Sequence, residues 1–96
     1  MCQMFAGQDP EQYRPETRRL RLNGQSTSIR LERSFWSIID EIAQSEDMTT
    51  PAFVSKLHAE VIELKGEAAN FTSLLRCACQ IRKEQLLNTP STIAAE

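Results

Sequence analysis

Residues 18–31, RRLRLNGQSTSIRL, alternate apolar and polar side chains on both sides of Asn23-Gly24. That dipeptide suits a two-residue type I′ turn, which needs positive φ at both central positions. A two-residue loop sets Leu22 opposite Gln25, Arg21 opposite Ser26, Leu20 opposite Thr27 and Arg19 opposite Ser28. One face then gathers Leu20, Leu22, Thr27, Ile29 and Leu31. The other gathers Arg19, Arg21, Ser26, Ser28 and Arg30. A slip of one residue would mix the two sets, so the register is strongly specified. Gln25 is the polar exception on the apolar side, next to a turn that water reaches.

After Leu31 the period changes from two to 3.6. Glu32 or Ser34 can cap a helix whose buried stripe is Phe35, Ile38, Ile39 and Ile42. Asp40, Glu41 and Gln44 fall on its other side, and Trp36 falls at the edge of the stripe. This helix should stop near 45–47. Thr49 or Thr50 caps a second helix, and Pro51 in its first turn marks the start. Phe53, Val54, Leu57, Val61 and Leu64 form its stripe, and Gly66 is a C-terminal stop. Asn70 opens a third helix with Phe71, Leu74, Leu75, Ala78 and Ile81 on one face, ending at Thr89-Pro90-Ser91-Thr92. The domain organisation read this way is an undefined arm over 1–14, a hairpin plus strand-helix-helix unit over 15–66, an appended helix over 67–87 and a loose tail over 88–96.

Ninety-six residues leave room for one small domain. A chain of this length buries only roughly 60–65% of its unfolded surface. One hairpin and two short helices are a meagre core, and the strand 26–31 is an open edge. A two-fold dimer answers both, because two copies of that strand can form an antiparallel ribbon.

Composition narrows the chemistry. There is one histidine, His58, and the three glycines at 7, 24 and 66 cannot write a phosphate-binding loop. Nothing near His58 supplies a nucleophile with an orienting carboxylate, so an enzyme is not expected. Cys77 and Cys79 are two apart on a helix and face different ways, so no metal site and no cofactor are expected. No apolar run reaches the roughly 20 residues of a membrane span. The N-terminus has neither the basic nor the apolar region of a secretory signal. A cytoplasmic protein with reduced thiols is the expectation. Charge is unevenly spread: the net −2 of the whole chain conceals +4 over residues 14–33 and −5 over 34–70. All six basic residues of 14–33 are arginine, the side chain whose planar fork suits phosphates and guanine edges.

With these elements in order, STSIRLERSFWSIIDEIAQSEDMTTPAFVSKLHAEVIE, residues 26–63, resembles the ribbon-helix-helix superfamily, the group of the Arc and methionine repressors. The resemblance lies in the alternating strand, the helix that follows at once, the EDMTTP turn with its capping hydroxyl, and the second amphipathic helix. From about Arg18 to Arg82 the chain is similar to a narrower bacterial ribbon-helix-helix group, through the segments TSIRLE and FW and a helix opening NFTSLLR.

The resemblance implies a mainly α fold with a short β-ribbon, dimeric, with an extra hairpin strand before the unit and a third helix after it. It implies a DNA-binding transcriptional regulator, a repressor, acting as a homodimer or a pair of dimers on double-stranded DNA. Ser26, Ser28 and Arg30 take the base-reading positions. Thr49 and Thr50 stand where the second helix presents free N–H groups to a phosphate. Arg19, Arg21 and Arg33 add phosphate contacts. Two alternatives stand beside this reading. One is an interaction module such as an antitoxin, using residues 71–87 to hold a protein partner. The other is a small anionic nucleotide bound on the arginine face. Glu46 and Asp47 near the phosphate position, and the low pI of about 5.4, work against DNA binding.

Overall fold

The structure, a computed structural model, describes the backbone of residues 2–95 and the side chains of residues 3–87. A short helix, α1 (Cys2–Ala6), precedes two strands, β1 (Pro15–Leu22) and β2 (Gln25–Glu32). Three helices follow: α2 (Arg33–Ser45), α3 (Thr50–Lys65) and α4 (Phe71–Ala95).

The hairpin has the predicted register, from Leu22↔Gln25 to Arg19↔Ser28, and extends it to Pro15↔Glu32. Asn23 (φ 54°) and Gly24 (φ 79°) supply the two positive φ angles the turn requires. The strand β1 is longer than its alternating segment, and pairing continues beyond it. Arg33 N–H donates to the Arg14 carbonyl and Ser34 N–H to that of Gln12, each at 2.9 Å. Residues 11–14, which carry no recognisable pattern, are thus tied to the start of α2.

The inner face of the hairpin is the floor of the core. Leu20, Leu22, Ile29 and Leu31 are buried against Trp36 and Ile39 of α2, Val54 of α3, and Leu75 and Cys79 of α4. The stripe of α2 is rotated from the predicted one. Trp36 has no exposed surface, and the buried set is Trp36, Ile39 and Ala43, while Phe35 and Ile38 are half-buried beside it. Indole is a costly side chain to bury unless its N–H is paired. Here Trp36 Nε1 donates to the Glu16 carbonyl at 2.8 Å, which allows the largest side chain to take the centre. Ile39→Ala is expected to destabilise the fold by roughly 2–5 kcal/mol, read from a denaturant midpoint, because Ile39 is buried between sheet and helices.

Glu32 takes the N-cap position of α2, but its side chain makes no capping bond. Thr49 caps α3 as predicted, accepting from Ala52 N–H, with Pro51 in the first turn and Gly66 (φ 85°) as the C-terminal stop. Leu64 stands in solvent rather than in the stripe. On α4 the inward ridge is Phe71, Leu75 and Cys79, at spacing i, i+4, i+8. Ile81 lies about 200° round the helix from Cys79, and it is exposed instead of buried. The helix also continues past Thr89-Pro90, since a proline removes one helical hydrogen bond without forbidding the next turn. The side chains of the expected loose tail, 88–96, lie outside the described residues. Cys77 is exposed and Cys79 buried, both as free thiols, and burial pushes the Cys79 thiol up to about 11.

Candidate nucleic-acid interface

The side chains of a strand alternate between faces, so burial of Leu20, Leu22, Ile29 and Leu31 sends their neighbours outward. Arg19, Arg21, Ser26, Ser28 and Arg30 are all exposed on the outer face of the hairpin, with Arg19 opposite Ser28 and Arg21 opposite Ser26. The structure thus brings five of the eight predicted site residues onto one surface. Among the described residues, Arg19, Arg21 and Arg30 have no carboxylate within ion-pair distance. Arg30 acts electrostatically on one acid with a perturbed titration, Glu32 at the end of β2. A hydrogen bond from its own backbone N–H holds its carboxyl below the usual range, with Arg76 and then Arg30 helping.

The other arginines of the segment are committed. Arg33 donates to Glu11 at 2.9 Å, and Glu11 also pairs with Arg14. Arg33 therefore sits beyond the outer face, at the junction of arm and α2. Arg18 belongs to the inner face, opposite Ile29. Its guanidinium lies 4.5 Å from the Trp36 ring centroid, and it donates to both Asp40 carboxylate oxygens, at 2.8 and 3.2 Å, and to Glu16 at 2.7 Å. Strand parity alone places Arg18 on this side, with Leu20 and Leu22. Its role is legible there and is obscured by its membership of an arginine run.

The helical pattern puts Asp40 on the solvent side of α2. It is half-buried instead, where Arg18 reaches it from β1 and the Thr50 hydroxyl donates to it at 2.7 Å from α3. The Thr50 side chain is thus occupied, and the exposed Thr49 spends its hydroxyl on the cap. The chain Arg18–Asp40–Thr50 fixes the start of α3 relative to the sheet. Burial opposes ionisation of Asp40, but the bonds from Arg18 and Thr50 outweigh it and hold the carboxyl below its usual range. The bond to Asp40 raises the Arg18 guanidinium correspondingly. A depressed carboxyl contributes stability that is complete above its unfolded value, about pH 3.9, and is lost as pH falls through the folded value. Asp40→Asn should therefore lower the thermal midpoint at pH 7 and flatten its decline below about pH 4. A wild-type and variant pair scanned at pH 7 and pH 3 tests this, and parallel declines would contradict it.

The backbone of β2 offers a second kind of contact. In a two-residue hairpin the residues flanking the turn form a bonded pair, and bonded pairs alternate along the ladder. Gln25, Thr27, Ile29 and Leu31 thus turn their peptide groups toward β1. Ser26, Ser28 and Arg30 turn theirs to the opposite edge, where the sheet has no third strand among the described residues.

A strand pair whose outer surface is arginine and serine, followed directly by two packed helices, defines a class of small basic-faced sheet-and-helix domains. A sequence model of the ribbon-helix-helix domain matches residues 15–82, and the chain belongs to that family. The family is in general one of DNA-binding regulators that act as dimers. Among solved structures, the chain is similar to an uncharacterized protein from Bordetella pertussis Tohama I. The two are 38% identical, with 95% of this chain and 71% of that one covered and a TM-score of 0.84. No curated protein matches the chain. Among the described residues there is no helix long and apolar enough to cross a membrane, and no cluster of three or more metal-ligating side chains.

Proposed function

We propose that this protein is a sequence-specific transcriptional regulator, a repressor, that binds the DNA major groove through a β-ribbon built by two copies of the chain. The observation that carries the reading is the outer face of the hairpin, where three arginines without carboxylate partners among the described residues flank two serines, while Leu20, Leu22, Ile29 and Leu31 of the inner face are buried in the core. A second copy is supported by the size of the surface left open. The chain exposes 7145 Å², against about 5,600 Å² for a compact monomer of its mass. Its radius of gyration is 15.4 Å, against about 12.5 Å for a compact domain of its length.

Pairing along the free edge of β2 places β2 strands at the centre of the ribbon and β1 strands outside. The outer strands then lie about 14 Å apart, slightly more than the roughly 12 Å width of the groove. This divides the labour. Ser26, Ser28 and Arg30, on the central strands, face base edges, and Arg30 can grip a guanine with two parallel hydrogen bonds. Arg19 and Arg21, on the outer strands, meet the phosphate walls. Arg33, released from Glu11, and the N-terminal N–H groups of α3 near Thr49 and Thr50 extend the phosphate contacts.

Fluorescence anisotropy with genomic fragments at 50 and 200 mM salt tests the reading. Affinity should fall by about 10³-fold or more between the two if six or more phosphates are contacted. No binding at the lower salt overturns it. Exposed Ile81, Leu86 and Leu87 favour, as a second reading, a protein held along residues 71–87. Purification as the homo-oligomer alone from the native host counts against that reading.

A further inference from the structure

At the end of the hairpin remote from its turn, two arginines converge on one carboxylate. Arg14 stands just before β1 and Arg33 opens α2, and both side chains meet Glu11 of the N-terminal arm. We infer that Arg14 and Arg33 form a further anion site, for a phosphodiester of the DNA backbone, and that Glu11 is a built-in competitor for it. The inference rests on the DNA-binding reading and deepens it. It adds Arg14 as a contact and gives the arm a regulatory role, that of lowering affinity for DNA.

The backbone brings the two arginines together without help from Glu11. Arg33 N–H donates to the Arg14 carbonyl at 2.9 Å, one step beyond the last strand pair, Pro15↔Glu32. Two adjacent guanidiniums repel each other unless an anion lies between them. The neighbouring acids are committed elsewhere, Glu16 to Arg18 and Glu32 to Arg76. Glu11 fills the place and is held there from both sides. Its N–H donates to the Asp9 carboxylate at 3.1 Å, and the Gln12 carbonyl accepts from Ser34 N–H at 2.9 Å. A carboxylate and a phosphodiester offer a guanidinium the same feature, two oxygens that share a negative charge. The grouping around Glu11 is therefore the one that a phosphate would receive.

The carboxylate can be displaced. The side chains of Arg14, Arg33 and Glu11 are 63%, 54% and 44% exposed, and ion pairs this open are weak and screened by salt. Arg14 lies about 17 Å further along the chain direction of β1 than Arg19, on the strand that the ribbon reading sets against a groove wall. Phosphates line the whole of that wall. A phosphate that displaces Glu11 leaves the carboxylate close by, and the repulsion weakens binding to every sequence alike.

The test is anisotropy of the full chain on a preferred and a scrambled duplex between 50 and 200 mM salt. Glu11→Gln should tighten binding to both duplexes by the same factor, roughly 10-fold at the lower salt, and steepen the slope of log K against log salt by about 2 for a dimer. The circular dichroism spectrum should not change, because glutamine still accepts from Arg33. Asp9→Asn removes the same charge from the same turn but leaves both arginines paired, and its gain should be much smaller. Adding Arg14→Ala to Glu11→Gln should remove most of the gain. An equal gain from Asp9→Asn, or a double variant that keeps the whole gain, overturns the site, since the effect is then one of net charge. If the wild type binds DNA and Glu11→Gln moves neither affinity nor slope, the site is overturned and the ribbon reading stands. If neither form binds at 50 mM salt, both are overturned.

Discussion

Trp36→Ala is expected to be the most damaging single substitution in this chain, with a loss of about 3–5 kcal/mol. In a domain of this size that amounts to a fall in Tm of roughly 15 °C or more. Three losses combine. Trp36 has no exposed surface, so truncation leaves a cavity where sheet and helices meet. The Glu16 carbonyl loses the donor that reaches it at 2.8 Å. The Arg18 guanidinium loses the ring beneath it, which loosens the bonds from Arg18 to Asp40 and Glu16. Trp36→Phe separates these contributions. It keeps most of the packing and loses the indole N–H, for a smaller cost of about 1–3 kcal/mol. Unfolding is followed by far-ultraviolet circular dichroism, because Trp36 is the only tryptophan and its own fluorescence disappears with the substitution. A Trp36→Ala midpoint close to wild type would mean that the indole is peripheral, as the helical periodicity alone suggests.

That discrepancy shows which parts of the fold are legible in the sequence. The hairpin is, because two independent constraints agree. The Asn23-Gly24 turn fixes the loop length, and the apolar alternation on both flanks fixes the faces, so one register satisfies both. On α2 periodicity is degenerate. Phe35, Trp36, Ile38, Ile39, Ile42 and Ala43 include two overlapping stripes, and the one that packs inward is decided by an acceptor, the Glu16 carbonyl, on a distant strand. The start of α3 is legible from Thr49 and Pro51, whereas the Thr50–Asp40–Arg18 chain is not. It joins residues 10 and 22 positions apart that no local pattern links. The same holds for Glu11, which reaches Arg33 across 22 positions and gives order to an arm without a recognisable pattern. Local alternation and turn chemistry thus fix elements and faces, while ion pairs between elements depend on packing that only the tertiary structure supplies.

The division of labour across the ribbon leads to the second large effect. Arg30→Ala should weaken binding to the preferred DNA sequence by about 1–3 kcal/mol per guanine contact, or roughly 5- to 150-fold. Weak binding to unrelated DNA should fall much less, because base edges contribute nothing there. Arg19→Ala should behave differently. It removes a phosphate contact from each copy, so binding to all sequences weakens together and the slope of log K against log salt becomes shallower by about 2 for a dimer. Neither change touches the core: both side chains are exposed, have no ion-pair partner among the described residues, and stand opposite the face that packs on α2. Melting temperatures should therefore stay within about 2–3 °C of wild type. The measurement is a salt titration of anisotropy for wild type and both variants, on a preferred and a scrambled duplex. If Arg30→Ala and Arg19→Ala lose affinity equally on both duplexes, then Arg30 is a phosphate contact and sequence is read elsewhere. If Arg30→Ala instead lowers the melting temperature substantially, the outer face of the hairpin is packed against protein and cannot enter a groove.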